Sequence, residues 1–242
     1  MSTKIKNPNQ KGSGFVVGII ALIAIVAVVI GVVLYMGRNQ PIEGLPDEDV
    51  SFSVQADGNV VRLASDDAAD DAVVAEVFED YSCRFCAEMA QGGHGDQLKA
   101  LNDGELVVEY HSLNFLDRSG PAHSTKSIAV MHRIAESGDA RLFWNFHTLM
   151  MEDIQAASRW EDEDFAERLE AMDAPSDVVE DVRNGLDVDA ADKIGKANGE
   201  KLNGYIGGVS SPHVIVDGND VTPKENGTLG DWVKAALDAG RS

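Results

Sequence analysis

The chain has 242 residues, of which 44% are apolar, so it is long enough for one domain with a packed core and lacks the composition of a disordered protein. It carries 41 acidic and 20 basic residues, a net charge of −21. This imbalance argues against a nucleic-acid partner, because phosphate binding needs clustered Lys and Arg. The simplest interpretation of the acidity is that it keeps the protein soluble, because molecules with the same charge repel one another.

The first recognisable element is an uncharged stretch at residues 14–36, in which Val, Ile, Ala and Leu predominate. As a helix it would span about 34 Å, which is enough to cross a bilayer. No small-x-small cleavage site follows the stretch. The sequence therefore predicts an uncleaved signal anchor rather than a cleaved signal peptide.

The charges on either side of this anchor predict its orientation. Three lysines precede it without any acidic residue among them, whereas Arg38 is the only basic residue in the segment 37–49 that follows. Basic flanks stay in the cytoplasm. The pattern predicts a cytoplasmic tail at 1–13, a linker at 37–49, and an extracytoplasmic location for the rest of this single-pass protein of the cell membrane.

Beyond the linker, alternating apolar residues predict a small hairpin at 50–55 and 59–63 and a buried strand at 73–78. The strand leads into Cys83-Arg84-Phe85-Cys86, which contains both cysteines of the chain. A helical pattern follows at 84–101. The order of strand, C-x-x-C and helix is typical of a thioredoxin-like redox site.

The C-x-x-C motif has two other possible interpretations. A structural disulfide between residues three apart closes almost no loop, so it would stabilise the fold little. A closed structural zinc site needs four ligands, and none of the six histidines lies at ligand spacing to the cysteines. The redox pair is the favoured interpretation, with the inert staple and the zinc half-site left as alternatives.

The position of Cys83 at the start of a helix predicts that it is the nucleophile. The unpaired N–H groups and the dipole of a helix start favour an anion, and Arg84 adds a cation next to it. Cys86, one turn further on, is expected to be shielded and to act as the resolving thiol, while Phe85 contributes no charge. The glycine-rich part of the helix, residues 92–95, is expected to kink or interrupt it.

The rest of the chain completes an α/β pattern. A strand is predicted at 105–112, and a hairpin at 213–216 and 220–222 precedes a closing amphipathic helix at 229–237. Between them lie helical stretches at 127–135, 140–154, 165–172, 176–185 and 190–202. His147 falls on the apolar stripe of one of these, so a packing or surface role is favoured over that of a catalytic base.

Two stretches of this sequence resemble one family. Residues 74–86, VAEVFEDYSCRFC, resemble the active-site strand and motif of DsbA-like thiol–disulfide oxidoreductases in the thioredoxin superfamily, and most of all their membrane-anchored forms in Gram-positive bacteria, notably actinobacteria. Residues 203–218, NGYIGGVSSPHVIVDG, resemble the family's glycine-rich turn, proline and strand. The resemblance implies that Pro212, after Ser211, forms a cis peptide bond and lies against the C-x-x-C motif.

The fold that this resemblance implies is α/β: a thioredoxin fold with an inserted α-helical domain, here preceded by one N-terminal transmembrane helix. The thioredoxin-like parts would be residues 50–119 and 204–242, and the helical insertion would be residues 120–203. The resemblance further implies that Arg84, Phe85, Ser211 and Pro212 modulate the reactivity of Cys83.

The sequence departs from the family pattern at two places. Arg84 and Phe85 replace the usual Pro and His or Tyr, which leaves the redox potential open. The family also buries an acidic residue six positions before the first cysteine, where this chain has Val77. Either a bulge brings Glu76 into that role, or Glu79 takes it, or the role is absent.

The function that the resemblance implies is the introduction of disulfide bonds into exported proteins. The expected partners are unfolded or reduced exported proteins and a DsbB- or VKOR-like membrane protein that reoxidises the pair. No cofactor and no metal is expected beyond the redox-active Cys83–Cys86 disulfide. A reductase or isomerase of the same fold is one alternative, and a membrane-tethered binding or chaperone module with a vestigial site is another.

Overall fold

The computed structural model describes residues 13–38, 42, 44–224 and 229–241. The chain divides into two units, with the boundary between residues 43 and 44. The first unit contains helix α1, Ser13–Arg38, whose side chains are described, and exposed, at 17–29. None of the helices in the described ranges combines the length and the apolarity needed to cross a membrane. Residues 1–12 of the expected tail, and 39–41 and 43 of the linker, lie outside the described residues.

The second unit is built on one mixed sheet with the strand order β1-β2-β4-β3-β5-β6. Its parallel pair, β3 and β4, is joined by a helix, as parallel strands require, and the other neighbours are antiparallel. The strands are β1 Ser53–Asp57, β2 Val60–Ala64, β3 Val73–Asp80, β4 Leu106–Leu113, β5 His213–Val216 and β6 Asn219–Asp220. The central position of β3 in this order brings the C-x-x-C motif to the middle of the sheet edge.

Helices cover this sheet and extend it. Helix α2 connects β3 to β4, a series of helices lies between β4 and β5, and α9 follows β6. Their bounds are α2 Arg84–Asn102, α3 His123–Glu136, α4 Ala140–Glu152, α5 Ile154–Ala157, α6 Asp162–Ala171, α7 Ser176–Asn184, α8 Val188–Ile206 and α9 Trp232–Gly240. The thioredoxin-like α/β fold with additional helices that the sequence predicted is therefore confirmed.

The helices between β4 and β5 share their core with the sheet. Trp144 of α4 is 2% exposed and packs edge-on against Phe52, with ring centroids 5.8 Å apart. The single helix predicted at 140–154 is instead two, because Asp153 leaves helical geometry and its carboxylate accepts a hydrogen bond from the Ala156 N–H as the N-cap of α5.

The expected interruption of α2 is wrong, because the helix runs continuously from Arg84 to Asn102. Its glycines allow close packing instead. A Cβ atom on Gly92 would lie 2.8 Å from the Cα of Gly230, and one on Gly93 would lie 2.3 Å from Nε1 of Trp232, a side chain that is 1% exposed. The low helix propensity of glycine is offset here by contact with the segment that begins α9.

The packing of α2 gives a test with an internal control. Gly93→Ala should lower the free energy of unfolding by about 1–3 kcal/mol, because the new methyl group overpacks the buried Trp232. Gly95 has nothing within 4 Å of its hypothetical Cβ, so Gly95→Ala should raise the free energy of unfolding by up to about 1 kcal/mol through helix propensity. Urea denaturation measures both, and a shift in the same direction for the two variants would refute this account of the glycines.

Candidate active site

The C-x-x-C motif lies at the junction between β3 and α2. Cys83 is the N-cap of α2, with extended backbone angles, and its carbonyl accepts hydrogen bonds from the N–H groups of Cys86 and Ala87. Its side chain is 7% exposed, whereas Cys86 is fully buried, as the sequence predicted. Both thiols are free.

The loop before β5 lies directly against the first cysteine. The Ser211–Pro212 peptide bond is cis, as predicted, and the Cys83 thiol donates to the Ser211 carbonyl over 3.5 Å. Antiparallel pairing of β5 with β3, in which Val214 is opposite Val77, holds the loop in this place. Residues separated by 128 positions therefore form one site.

The two thiols have opposite acidities. The hydrogen bond from the Cys86 thiol is the largest of the effects that lower the pKa of Cys83 to about 5 against the effect of burial. The side chain of Ser211 and the N–H groups of Cys86 and Phe85 lower the pKa of Cys83 further. Burial raises the pKa of Cys86 well above its usual value, and the charges of Cys83 and Glu79 raise it further. Cys83 is thus a thiolate at neutral pH and Cys86 a thiol.

Arg84 and Phe85 are exposed beside this pair. The guanidinium of Arg84 lies over the Phe85 ring, 4.7 Å from its centroid. The groups that lower the pKa of Cys83 most are the Cys86 thiol, Ser211 and the helix N–H groups, whereas the sequence had led us to expect the Arg84 cation among them. The geometry explains the difference, because Arg84 makes a cation–π contact along the surface.

A family model described as thioredoxin matches residues 66–235. The chain belongs to the thioredoxin family. Within the described residues, no group of three or more His, Cys, Asp and Glu side chains could hold a metal ion. The reactive groups of this thioredoxin-family site are the sulfur atoms of its two cysteines.

Solved structures place the chain among thiol–disulfide oxidoreductases. It is 35% identical to the MdbA protein of Corynebacterium diphtheriae, with a TM-score of 0.73 over 78% of this chain and 95% of that one. For MdbA of Corynebacterium matruchotii the identity is 32% and the TM-score 0.72, over 78% and 92%. DsbA of Mycobacterium tuberculosis, in its reduced form, shares the fold at 19% identity, with a TM-score of 0.52 over 76% of this chain and 100% of that one.

A curated relative matches a shorter part of this chain. The serine/threonine-protein kinase PknE of Mycobacterium tuberculosis is 26% identical over 137 residues, which are 54% of this chain and 24% of the kinase. The chain thus spans about a quarter of the length of the curated relative that it matches.

Glu76, one of the candidates for the buried acid, points away from the thiols. It bonds to residues of β4 and α8: His111 Nε2 at 3.1 Å, Lys201 Nζ at 2.5 Å and the Tyr205 hydroxyl at 2.9 Å. Burial opposes ionisation, but these bonds together lower the pKa of Glu76 to about 2. The register of β3 with β4 is unbroken from Val73 to Asp80, so no bulge turns Glu76 toward the active site.

Glu79, three residues further along β3, lies on the opposite face of the sheet and near Cys86. It is 1% exposed, and its negative charge contributes to the raised pKa of Cys86. Its Oε1 lies 2.7 Å from Nε2 of His147 on α4, within hydrogen-bonding distance. Of the three possibilities left open by the sequence, the structure favours Glu79. His147 is a buried partner of Glu79 as well as a packing residue.

Asp80 is a further residue of the site, and sequence reasoning missed it. It is fully buried, and its carboxylate accepts hydrogen bonds from the Ser82 N–H at 2.8 Å, the Ser124 hydroxyl at 2.6 Å and the Leu116 N–H at 3.2 Å. Burial raises the pKa of Asp80 to about 6 despite these bonds. Asp80 thereby ties the turn before Cys83 to the loop after β4 and to α3. The only local signal in the sequence is the spacing of Asp80 and Ser82, at which an Asp side chain can accept a hydrogen bond from the N–H two residues on.

The two glutamates of β3 give a matched pair of variants. Glu79→Gln should lower the pKa of Cys86, because it removes a buried negative charge that disfavours the Cys86 thiolate. Glu76→Gln, the same substitution on the other face, should leave the pKa of Cys86 unchanged. Titration of the reduced chain by NMR, with cysteine labelled at Cβ, measures both. Equal shifts in the two variants, or a rise with Glu79→Gln, would contradict the assignment.

Proposed function

We propose that the chain is an extracytoplasmic thiol–disulfide oxidoreductase that introduces disulfide bonds into exported proteins. One arrangement carries this proposal: Cys83 caps the start of α2 between the buried Cys86 and the Ser211 loop, and this arrangement lowers the pKa of Cys83 to about 5. A thiolate exists only in the reduced pair, so groups that stabilise it favour the reduced form. The Cys83–Cys86 disulfide is then a stronger oxidant of substrate thiols.

The exchange proceeds in two displacements. A substrate thiolate attacks Sγ of Cys83, which forms a mixed disulfide and releases Cys86, and Cys86 takes up a proton because its pKa is high. A second substrate thiolate then attacks the substrate sulfur of the mixed disulfide. Cys83 leaves as its stabilised thiolate. The substrate has lost two electrons and two protons; the enzyme has gained both electrons and one proton, which is on Cys86, and the other proton passes to the solvent.

The proposed place of this reaction is the outer side of the cell membrane. Support comes from the uncharged residues 14–36 and from the lysines before them, since basic flanks remain cytoplasmic. An exported domain meets newly translocated substrate thiols in an oxidising environment. The reduced pair must then be reoxidised, and we propose a DsbB- or VKOR-like protein of the same membrane as the acceptor of its electrons.

Trapping of substrates tests the division of labour between the two cysteines. Cys86→Ser should accumulate mixed disulfides with substrate proteins, because Cys86 can no longer attack the bond to Cys83 and only a second substrate thiol is left to resolve it. Cys83→Ser should accumulate none, since Cys86 is buried and its pKa is raised. Non-reducing gels of cells that express each variant show the adducts. Equal trapping by both variants would refute the assignment.

The direction of the reaction is tested with the purified chain after oxidation of Cys83 and Cys86. The oxidised chain should restore activity to a reduced enzyme that needs disulfides, at a rate above that of glutathione alone. A reduction potential near that of thioredoxin, about −270 mV, together with no oxidative refolding, would instead support a reductase or isomerase.

Protease treatment of spheroplasts tests the topology. We expect external protease to degrade the part of the chain beyond residue 44 while a cytoplasmic marker protein stays intact, because the lysine bias predicts an outward-facing domain. A protected domain, or a mature protein that begins after residue 36, would contradict the membrane-anchor proposal.

A further inference from the structure

The side chain of His213 joins the loop before β5 to the strand after it. His213 is the first residue of β5, directly after Pro212, and it pairs with Phe78 of β3. Its Nε2 lies 2.8 Å from the hydroxyl of Ser210 in the loop, and its Nδ1 lies 3.1 Å from Oδ2 of Asp220 in β6. The half-buried imidazole therefore uses both of its nitrogens to connect these two segments.

Asp220 is held in place by several bonds of the β5–β6 hairpin. Its Oδ1 accepts hydrogen bonds from the N–H and the hydroxyl of Thr222, at 3.1 and 2.6 Å, and that hydroxyl accepts one from the Val214 N–H at 2.8 Å. Lys224 Nζ lies 2.6 Å from Oδ2. Burial would raise the pKa of Asp220, but the bonds from Lys224 and Thr222 lower it to about 2. Asp220 is thus a fixed anion that orients the ring of His213.

The bond between His213 and Ser210 spans the residue that contacts Cys83. Ser211 and Pro212 lie between the bonded pair, and the Ser211 carbonyl oxygen is 3.5 Å from Sγ of Cys83. A bond that closes a short segment reduces the number of conformations that its backbone can adopt. His213 thereby limits the positions that Ser211 can take relative to the sulfur atom.

The position of Ser211 matters because its side chain acts on both sulfur atoms of the site. Its hydroxyl is buried and has no other hydrogen-bond partner in the part of the chain that the structure describes. The Ser211 side chain lowers the pKa of Cys83, and it opposes the rise in the pKa of Cys86. Because a hydrogen bond weakens steeply when its distance and angle change, a displaced Ser211 would stabilise the thiolate less.

We propose that His213 is a positioning residue of the redox site, which holds the loop before β5 so that the Ser211 hydroxyl reaches the thiolate of Cys83. The imidazole acts through Ser210 and takes no part in the exchange of sulfur bonds. This inference rests on the proposed function, because a stabilised thiolate is what makes the disulfide of the pair a stronger oxidant.

Removal of the imidazole nitrogens tests the proposal in the full chain in detergent. His213→Phe keeps an aromatic ring and loses both bonds, while the exposed Ser210 can bond to water instead. We expect the pKa of Cys83 to rise by about one pH unit, because one of its donors is no longer held in place. The ultraviolet absorbance of the thiolate as a function of pH measures this. At neutral pH the equilibrium with glutathione should move about tenfold toward the oxidised chain, which is about 30 mV.

Ser210→Ala removes the same bond from its other end. This variant changes an exposed side chain, so it should fold as the wild type does and raise the pKa of Cys83 in the same direction. The double variant should match His213→Phe alone, because the two substitutions remove one shared bond. Lys224→Met is the matched control, since it removes the other side chain bonded to Oδ2 of Asp220 and leaves both bonds of His213 in place. It should keep the wild-type pKa of Cys83.

The outcomes separate this inference from the proposed function. An unchanged pKa of Cys83 in either His213→Phe or Ser210→Ala, or effects that add in the double variant, would overturn the role of His213 and leave the oxidoreductase. An equal rise in Lys224→Met would overturn it too. If His213→Phe does not fold, the comparison of Ser210→Ala with Lys224→Met decides. The titration needs no substrate, so it still decides the inference if the wild type fails to refold a reduced enzyme, a result that counts against the proposed function alone.

Discussion

The ionised sulfur of Cys83 depends on hydrogen-bond donors held around it, chief among them the thiol of Cys86. Burial alone would raise the pKa of Cys83, and the donors reverse that effect and bring the pKa to about 5. Each donor requires a different part of the fold. The N–H groups require that α2 begins at Cys83, the Cys86 thiol requires a position one turn further on, and the Ser211 side chain requires that β5 pairs with β3.

Helices α3 and α4, which lie between β4 and β5, contribute side chains that contact the acidic residues next to the two cysteines. Burial is the main reason that the pKa of Cys86 is raised, and Glu79, whose charge adds to this effect, is paired with His147 of α4. Asp80 fastens the active-site turn to α3 through Ser124. The thiolate of Cys83 and the thiol of Cys86 are thus consequences of long-range packing as well as of the motif.

Much of this site could be predicted from the sequence because its signals are local. A strand that runs into C-x-x-C and then a helix identifies Cys83 and Cys86, and a glycine-rich turn before Ser211 and Pro212 marks the opposing loop. The choice of Glu79 among the possible buried acids and the role of Asp80 could not be predicted, because their partners lie 68 and 44 residues away. The glycines of α2 misled for the same reason, since their contacts with Gly230 and Trp232 are invisible in a local pattern. The domain boundaries and the membrane anchor remain predictions.

The pH dependence of the reduction potential tests the central claim most directly. The pKa of Cys83 is lowered in the folded reduced chain, so the thiolate stabilises the reduced state fully above the pKa of a free thiol, and this stabilisation is lost as the pH falls through about 5. Above that pH, reduction takes up two electrons and one proton, and below it two protons. The account predicts that the potential falls by about 59 mV per pH unit below the break and by about 30 mV per unit above it, with the break near pH 5. A single slope of about 59 mV per unit up to the pKa of an ordinary thiol would contradict it.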